Sequence, residues 1–329
     1  MGPKELRDFA AGLGEKPFRG DQLAAWLYRK GAVSFSEMTD ISLSARALFS
    51  ENAELGPIVT ISRREPSQDG AVKFLNLLPD GEMVESVLIR ERDRVTLCVS
   101  SQVGCALGCA FCRTGTMGLR RDLTQGEIIG QILAARKEIP DPIGNLVFMG
   151  MGEPLLNRPW LHKALSVILD PRYLAVPHKG LTVSTVGPIP GLKAFGAAFP
   201  TVPLAISLNA ADQSLRESLM PVARKYPLKD LKEALLAYPL PPKRRLTIAW
   251  VLLDGVNDSL ADARALSRFL GGLRAKVNLI PFNPWPGAPF GRPSEKRVLE
   301  FQELLLGKKI TTIVRKSRGS QVGGACGQL

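Results

Sequence analysis

Six apolar runs, each followed by a polar or glycine-rich step, constrain the fold of this chain more than any other feature. They lie at 95–99, 146–149, 181–183, 204–208, 248–253 and 277–280. Strands that are apolar on both faces belong to a parallel sheet covered by helices, and helical patterns do separate these runs. Thr124 to Glu127 has the capping-box form ahead of a stripe of Ile128, Ile129, Ile132 and Leu133. Leu228, Leu231 and Leu235 mark a later helix, Leu260, Ala263, Leu266 and Leu270 another, and Val298, Phe301 and Leu305 a third. The pattern predicts an α/β fold, a partial (β/α)6 barrel over residues 95–315, with a further run at 310–314 extending the sheet. Around it, residues 1–55 read as a small helical accessory domain. Residues 56–94 read as a linker and β-hairpin extension, with a charged stretch from Glu91 to Arg94. Residues 316–329 read as a short flexible tail.

In such a barrel the chemistry sits at the C-terminal ends of the strands. The first run leads into GCALGCAFCRTGTMG, residues 104–118, which holds Cys105, Cys109 and Cys112. The second ends in Gly150-Met151-Gly152-Glu153-Pro154, the third in Ser184-Thr185, the fourth in Ser207-Leu208-Asn209 and the sixth in Pro281-Phe282-Asn283-Pro284. A Cys-x3-Cys-x2-Cys run places three soft thiolates on one short loop. Structural zinc usually takes four ligands, so three thiolates fit better a four-iron, four-sulfur cluster with one iron open. Zinc and a row of reduced structural thiols are the other readings. Small residues Ala106, Gly108 and Ala110 let the loop wrap tightly, and Phe111 offers an apolar wall.

The 43 Lys and Arg against 31 Asp and Glu leave a net charge of +12, gathered in clusters such as Arg120-Arg121 and Lys243-Arg244-Arg245. A polyanion is the expected partner, because each phosphate contacted releases condensed counterions. Few aromatics are available for base stacking, which argues for recognition by shape, phosphates and a pocket. No apolar run approaches the roughly 20 residues of a membrane helix, and the N-terminal MGPKELRDF lacks the apolar core of a signal peptide. A cytoplasmic location is expected, where thiols stay reduced, with no membrane association and a monomeric state.

The cysteine loop resembles the signature of the radical S-adenosylmethionine enzymes. Taken with MGMGEP, LTVSTVG, SLN, PFNP, the N-terminal WLYRKG and the C-terminal ACGQL, the chain resembles over nearly its whole length the dual-specificity RNA methyltransferases. That family methylates carbon 2 of an adenine in 23S ribosomal RNA and in some transfer RNAs. The resemblance implies a 4Fe-4S cluster on Cys105, Cys109 and Cys112. It further implies that Gly152, Glu153, Ser184, Ser207, Leu208, Asn209 and Asn283 bind S-adenosylmethionine. Glu85 aligns with the family's assigned proton acceptor, and Cys98 and Cys326 with its two other cysteines.

Carbon 2 of adenine is electron-poor and does not attack an ordinary methyl donor. The resemblance implies a radical route that uses two S-adenosylmethionines per turnover, one to methylate Cys326 and one cleaved at the reduced cluster. The radical formed on the S-methyl group adds to the ring, and attack by Cys98 on the Cys326 sulfur then frees the RNA and leaves a disulfide. Such chemistry implies a low-potential electron donor such as flavodoxin and a thiol reductant. By residue type alone, Cys98 in VTLCV reads as core packing, Cys326 near the terminus as a dispensable thiol, and Glu85 as an edge or solvent-facing residue. Methylation at carbon 8 of the same kind of substrate is the neighbouring reading, and a non-catalytic iron–sulfur RNA-binding protein is the reading from another class. Many relatives continue past ACGQL with basic residues, so any RNA grip from such a tail is expected to be missing.

Overall fold

The structure, a computed structural model, describes residues 1–56, 58–91 and 94–329. The middle of the charged stretch, residues 92–93, and residue 57 of the linker lie outside the described residues. Ten strands form one sheet, in the order β1 (Thr60–Pro66), β2 (Ala71–Leu77), β3 (Met83–Glu91), β4 (Arg94–Val99), β7 (Asn145–Phe148), β8 (Leu181–Thr185), β9 (Leu204–Ser207), β10 (Leu246–Leu252), β11 (Ala275–Pro281) and β12 (Thr312–Val314). From β4 to β12 every pairing is parallel, and β1 to β4 pair antiparallel. All six apolar runs and the 310–314 extension thus become neighbouring parallel strands. Strands β1 and β12 stand at the two ends of the order, so the sheet is a partial barrel and not a closed one.

Helices α1 (Pro3–Gly12), α2 (Phe18–Ala24) and α3 (Leu43–Asn52) form the N-terminal module. It docks on the outside of the barrel. Tyr28 meets Tyr173 edge-on at 6.1 Å, Lys163 pairs with Glu5 at 2.6 Å, and Arg136 reaches the Tyr28 carbonyl. Helix α4 (Arg113–Thr116) is one turn inside the cysteine loop, and α5 (Gln125–Lys137) starts at the Thr124 capping box, closed by Glu127. Helices α6 (Arg158–Ile168), α7 (Ile189–Ala198), α8 (Gln213–Leu219), α9 (Leu228–Leu236), α10 (Leu260–Phe269) and α11 (Glu295–Gly307) follow. The leucine patterns located α9, α10 and α11, and Val298, Phe301 and Leu305 are the buried face of α11. Short α8 carries no such stripe and went unread.

Three strands also went unread, β1 among them, which falls in the stretch read as linker. The three-residue β5 (Gln102–Gly104) and β6 (Leu119–Asp122) pair antiparallel and clamp the base of the cysteine loop. Cys105 donates its amide to the Gly118 carbonyl at 2.8 Å. Gly104 sits at φ +76°, where a Cβ would lie 1.9 Å from that carbonyl oxygen, so only glycine permits the closure. Among the described residues no helix is long and apolar enough to cross a membrane.

Candidate active site

The strand β4 delivers the cysteine loop to the C-terminal end of the sheet. Cys105 and Cys109 are buried, and Cys112 is half-buried. Burial pushes the Cys105 thiol up to about 11 and raises Cys109 and Cys112 as well, with Glu153 and neighbouring thiols adding to the rise at the first two. A bound cationic centre reverses that balance and takes the thiols as thiolates. Among the described residues no three His, Cys, Asp or Glu side chains close on one metal ion. The donor set decides the fit: three soft thiolates on one clamped loop, walled by buried Phe111, match a thiolate-bound iron–sulfur cluster.

Beneath the loop, Glu153 is 2% exposed and saturated with donors. Its Oε1 accepts from the Thr185 hydroxyl at 2.6 Å and the Leu155 amide at 3.0 Å, and its Oε2 accepts from the Val186 amide at 2.9 Å. Burial nevertheless outweighs these bonds and pushes the carboxyl up to about 7. An ammonium arriving here would hold it ionised. Gly152, at φ +96°, lies so close to Gln102 that a Cβ would fall 2.5 Å from that side chain. Gln102 Oε1 in turn accepts the Glu153 amide at 2.8 Å.

Ser184 and Ser207, from β8 and β9, face each other at 3.5 Å between hydroxyls. Leu208 is fully buried and its backbone is spent within the protein, the amide on the Ala249 carbonyl and the carbonyl on Ala210 and Arg216. Asn209 adopts φ 59°, and its side chain is spent on structure, accepting the Val251 amide at 2.8 Å and approaching Met220 Sδ at 3.2 Å. Asn283, after β11, donates to the Cys326 carbonyl at 3.3 Å and accepts from Arg292 at 3.1 Å.

The tail is seated in this site. Arg318 and Gly319 bind Asp69 in the β1–β2 turn, at 3.0 Å to its carbonyl and 2.8 Å to its carboxylate. Gln328 donates to the Pro284 carbonyl at 2.8 Å. Arg113, the residue after Cys112, donates its amide to the Gly327 carbonyl at 2.9 Å, and the Thr114 hydroxyl bonds the Leu329 carbonyl. Cys326 is solvent-exposed, yet the surrounding protein raises its thiol, an effect Arg315 opposes and the neighbouring Cys112 adds to. Cys98, 7% exposed on β4, is raised by burial first and then by the charge of Cys326. Cys98 is therefore core-packed, as residue type alone suggests. All five cysteines are free thiols.

Glu85 is neither an edge nor a solvent-facing residue. It stands on inner strand β3, 19% exposed, ion-paired with Lys73 at 3.0 Å, and Lys73 also pairs with Glu65 at 3.0 Å. Glu85 lines a cavity of about 600 Å³ with Met83, Gly104, Arg113, Met117 and Leu329, a size in the range of ligand pockets. Lys73, Asp69 and Arg216 shape the site and escaped sequence reading, whereas Thr185, read only as a strand-end position, turns out to hold Glu153. Lys73 alone left a signal, a cation inside an otherwise apolar strand pattern.

Two family models match the chain: the ribosomal RNA large subunit methyltransferase N-terminal domain over residues 1–55, and the radical SAM superfamily over residues 99–265. The chain is 47% identical over 327 residues to the dual-specificity RNA methyltransferase RlmN of Syntrophobacter fumaroxidans, covering 99% of this chain and 95% of that protein. It is 46% identical to the protein of the same name from Geobacter sulfurreducens, covering 99% and 89%. A crystal structure of a radical SAM methyltransferase from Sphaerobacter thermophilus superposes with a TM-score of 0.93 at 41% identity, over 100% of this chain and 97% of that one. With its three-thiol loop at the mouth of a partial barrel, the chain belongs to the dual-specificity RNA methyltransferase RlmN family of radical SAM enzymes.

Proposed function

We propose that this chain methylates carbon 2 of an adenine in 23S ribosomal RNA and in transfer RNA, using Cys326 as the methyl carrier and Cys98 as the resolving thiol. The observation that carries this reading is the seating of the tail: Gly327 accepts the amide of Arg113, the residue after Cys112, and Asn283, after β11, bonds the Cys326 carbonyl. This seating of the tail beside the cysteine loop supports Cys326 as the carrier. Bound to Cys105, Cys109 and Cys112, with S-adenosylmethionine along Gly152–Glu153, Ser184, Ser207–Asn209 and Asn283, the 4Fe-4S cluster supplies one-electron chemistry.

The protein's own groups do the rest. Asn283 fixes the Cys326 backbone, so the thiol presents its methyl group from a set position. Glu85, held by Lys73 at 3.0 Å, takes the ring proton. The Cys98 thiolate then attacks the Cys326 sulfur, and the sulfur–carbon bond breaks. The RNA-bound carbon takes the bonding pair and a proton to become the methyl group, and the adduct's unpaired electron returns along the one-electron route that delivered it. An external thiol reductant restores both cysteines from the disulfide. Because burial raises the Cys98 thiol, resolution speeds up as pH rises through the thiol range. A low-potential one-electron donor of the flavodoxin type, a reducing cytoplasm and a monomeric state complete the reading.

The regiochemistry is tested by mass spectrometry of digested ribosomal and transfer RNA from cells with and without the gene. Gene-dependent 2-methyladenosine is expected, and 8-methyladenosine in its place would overturn the proposal. Cys98→Ala is expected to trap RNA covalently on Cys326; free methylated RNA at the wild-type rate would remove Cys98 from its role.

A further inference from the structure

Two cations are buried among the described residues, Lys73 and Arg216, and they differ in what faces them. Lys73 lies between two carboxylates, each at 3.0 Å. Arg216, on α8 and 0% exposed, pairs with no Asp or Glu among the described residues. Its guanidinium bonds backbone carbonyls instead: Nε to Leu208 at 3.2 Å, Nη2 to Val186 at 3.0 Å and Nη1 to Tyr226 at 3.4 Å. Carbonyl dipoles orient a cation but do not neutralise it. A buried charge without a counter-ion is costly, and such groups persist where an opposite charge arrives.

The nearest candidate for that charge is the cysteine loop. Helix α8 ends against it, with Ala110 donating its amide to the Leu219 carbonyl at 2.9 Å. Cys109 and Phe111 share an apolar cluster with Leu219, Met220 and Val186, whose carbonyl Arg216 holds. Although burial lowers Arg216 itself to about 10, it remains a cation at neutral pH.

We propose that Arg216 is the buried countercharge of the thiolate-bound cluster, a positioning residue that favours the one-electron reduced state. A 4Fe-4S centre on three thiolates is anionic and gains one further negative charge when a low-potential donor delivers its electron. A cation fixed beside it in a low-dielectric interior stabilises the reduced form more than the oxidised one. The same guanidinium ties the exits of β8 and β9 together, at Val186 and Leu208, next to Ser184 and Ser207. The inference rests on the cluster reading of Cys105, Cys109 and Cys112.

Reconstituted full-length wild type, Arg216→Met and Arg216→Lys are titrated anaerobically against mediators, with the reduced cluster read by electron paramagnetic resonance. With equal iron and sulfide content, Arg216→Met is expected to lower the reduced-to-oxidised ratio at fixed potential at least tenfold. For a one-electron couple that is about 59 mV in the negative direction. Arg216→Lys keeps the charge and loses carbonyl bonds, so its ratio should stay within threefold of wild type. Equal falls in both variants, or no fall in Arg216→Met, overturn the proposal. If circular dichroism shows Arg216→Met unfolded, Arg216→Lys decides alone, and a fall beyond threefold overturns it. Iron and sulfide missing from reconstituted wild type would instead overturn the cluster reading on which this one depends.

Discussion

The cysteine loop and the C-terminal tail both turn on left-handed glycines, but the loop closes on one, Gly104, that no side chain could fill, while a Cβ on the left-handed glycines of the tail would meet no atom nearer than 3.2 Å. A Cβ at Gly104 would stand 1.9 Å from the Gly118 carbonyl oxygen, whereas at Gly323 the nearest atom is Lys73 Nζ at 3.7 Å. The loop is closed by a two-strand ladder and packed through Phe111 and Cys109 against Leu219 and Phe282. The tail is held by scattered polar contacts to Asp69, Arg113, Asn283 and Pro284. Ligands to a cluster must be preorganised, because any reorganisation weakens binding. A thiol that receives a group, passes it on and is then attacked needs a backbone that can shift by small steps. Under the proposed function the two segments meet those opposite needs, the loop as cluster holder and the tail as methyl carrier.

The comparison breaks most visibly at the cysteines themselves. Cys105→Ala should abolish the cluster's visible absorbance together with all formation of 5′-deoxyadenosine, read by chromatography. Cys326→Ala should keep the absorbance and lose only methyl transfer to RNA. If the two variants fail in the same way, the division between loop and tail is wrong. Next in size, Gly104→Ala should destabilise the chain by about 3 kcal/mol or more in urea melts, since left-handed strain adds to a backbone overlap that cannot relax. Gly323→Ala, strained but unobstructed, should cost only about 1 kcal/mol.

Glu153 adds a pH dependence beneath the loop. Its carboxyl ionises near 4.5 in the unfolded chain and near 7 when folded, so the folded state binds the extra proton between those values. Stability of the cluster-free, ligand-free protein should therefore fall as pH rises from 4.5 to about 7, by roughly 3 kcal/mol from this group, and level off above. Glu153→Gln should flatten that slope, and S-adenosylmethionine, bringing an ammonium, should reduce it; a slope unchanged in the variant would assign it elsewhere. The smallest effect is expected at the tail's anchor. Asp69→Ala removes two amide partners, Gly319 and Ala71, and should slow methyl transfer about tenfold with cluster absorbance unchanged.

The sheet was legible in the sequence because parallel strands buried on both faces must be apolar throughout. Each of the six runs became a strand in chain order, and the polar steps after them became the site. Short elements were not legible. Strands β5 and β6 and helix α8 are too brief for periodicity to rise above noise, and their stability comes from what they pack against. Arg216 reads in QSLRESL as a surface residue of a polar helix, and only the closure of α8 under the cysteine loop buries it. Lys73 and Glu85 stand two positions apart in register across β2 and β3, where Leu75 faces Glu85 and Lys73 faces Val87. Nothing in either strand alone announces that pair.

The sequence by itself determined the strand order, the three-thiol loop and the glycines that close it, because those depend on residue type and local spacing. The tertiary structure alone decided which of the two outlying cysteines face the loop, and how. Cys98 stands on β4, which runs directly into the loop, and Asp69, Arg113 and Asn283 hold the last residues, Cys326 among them, at the strand ends. Contacts between residues more than two hundred positions apart, such as Thr114 with Leu329, follow from chain topology and packing, and no local pattern encodes them.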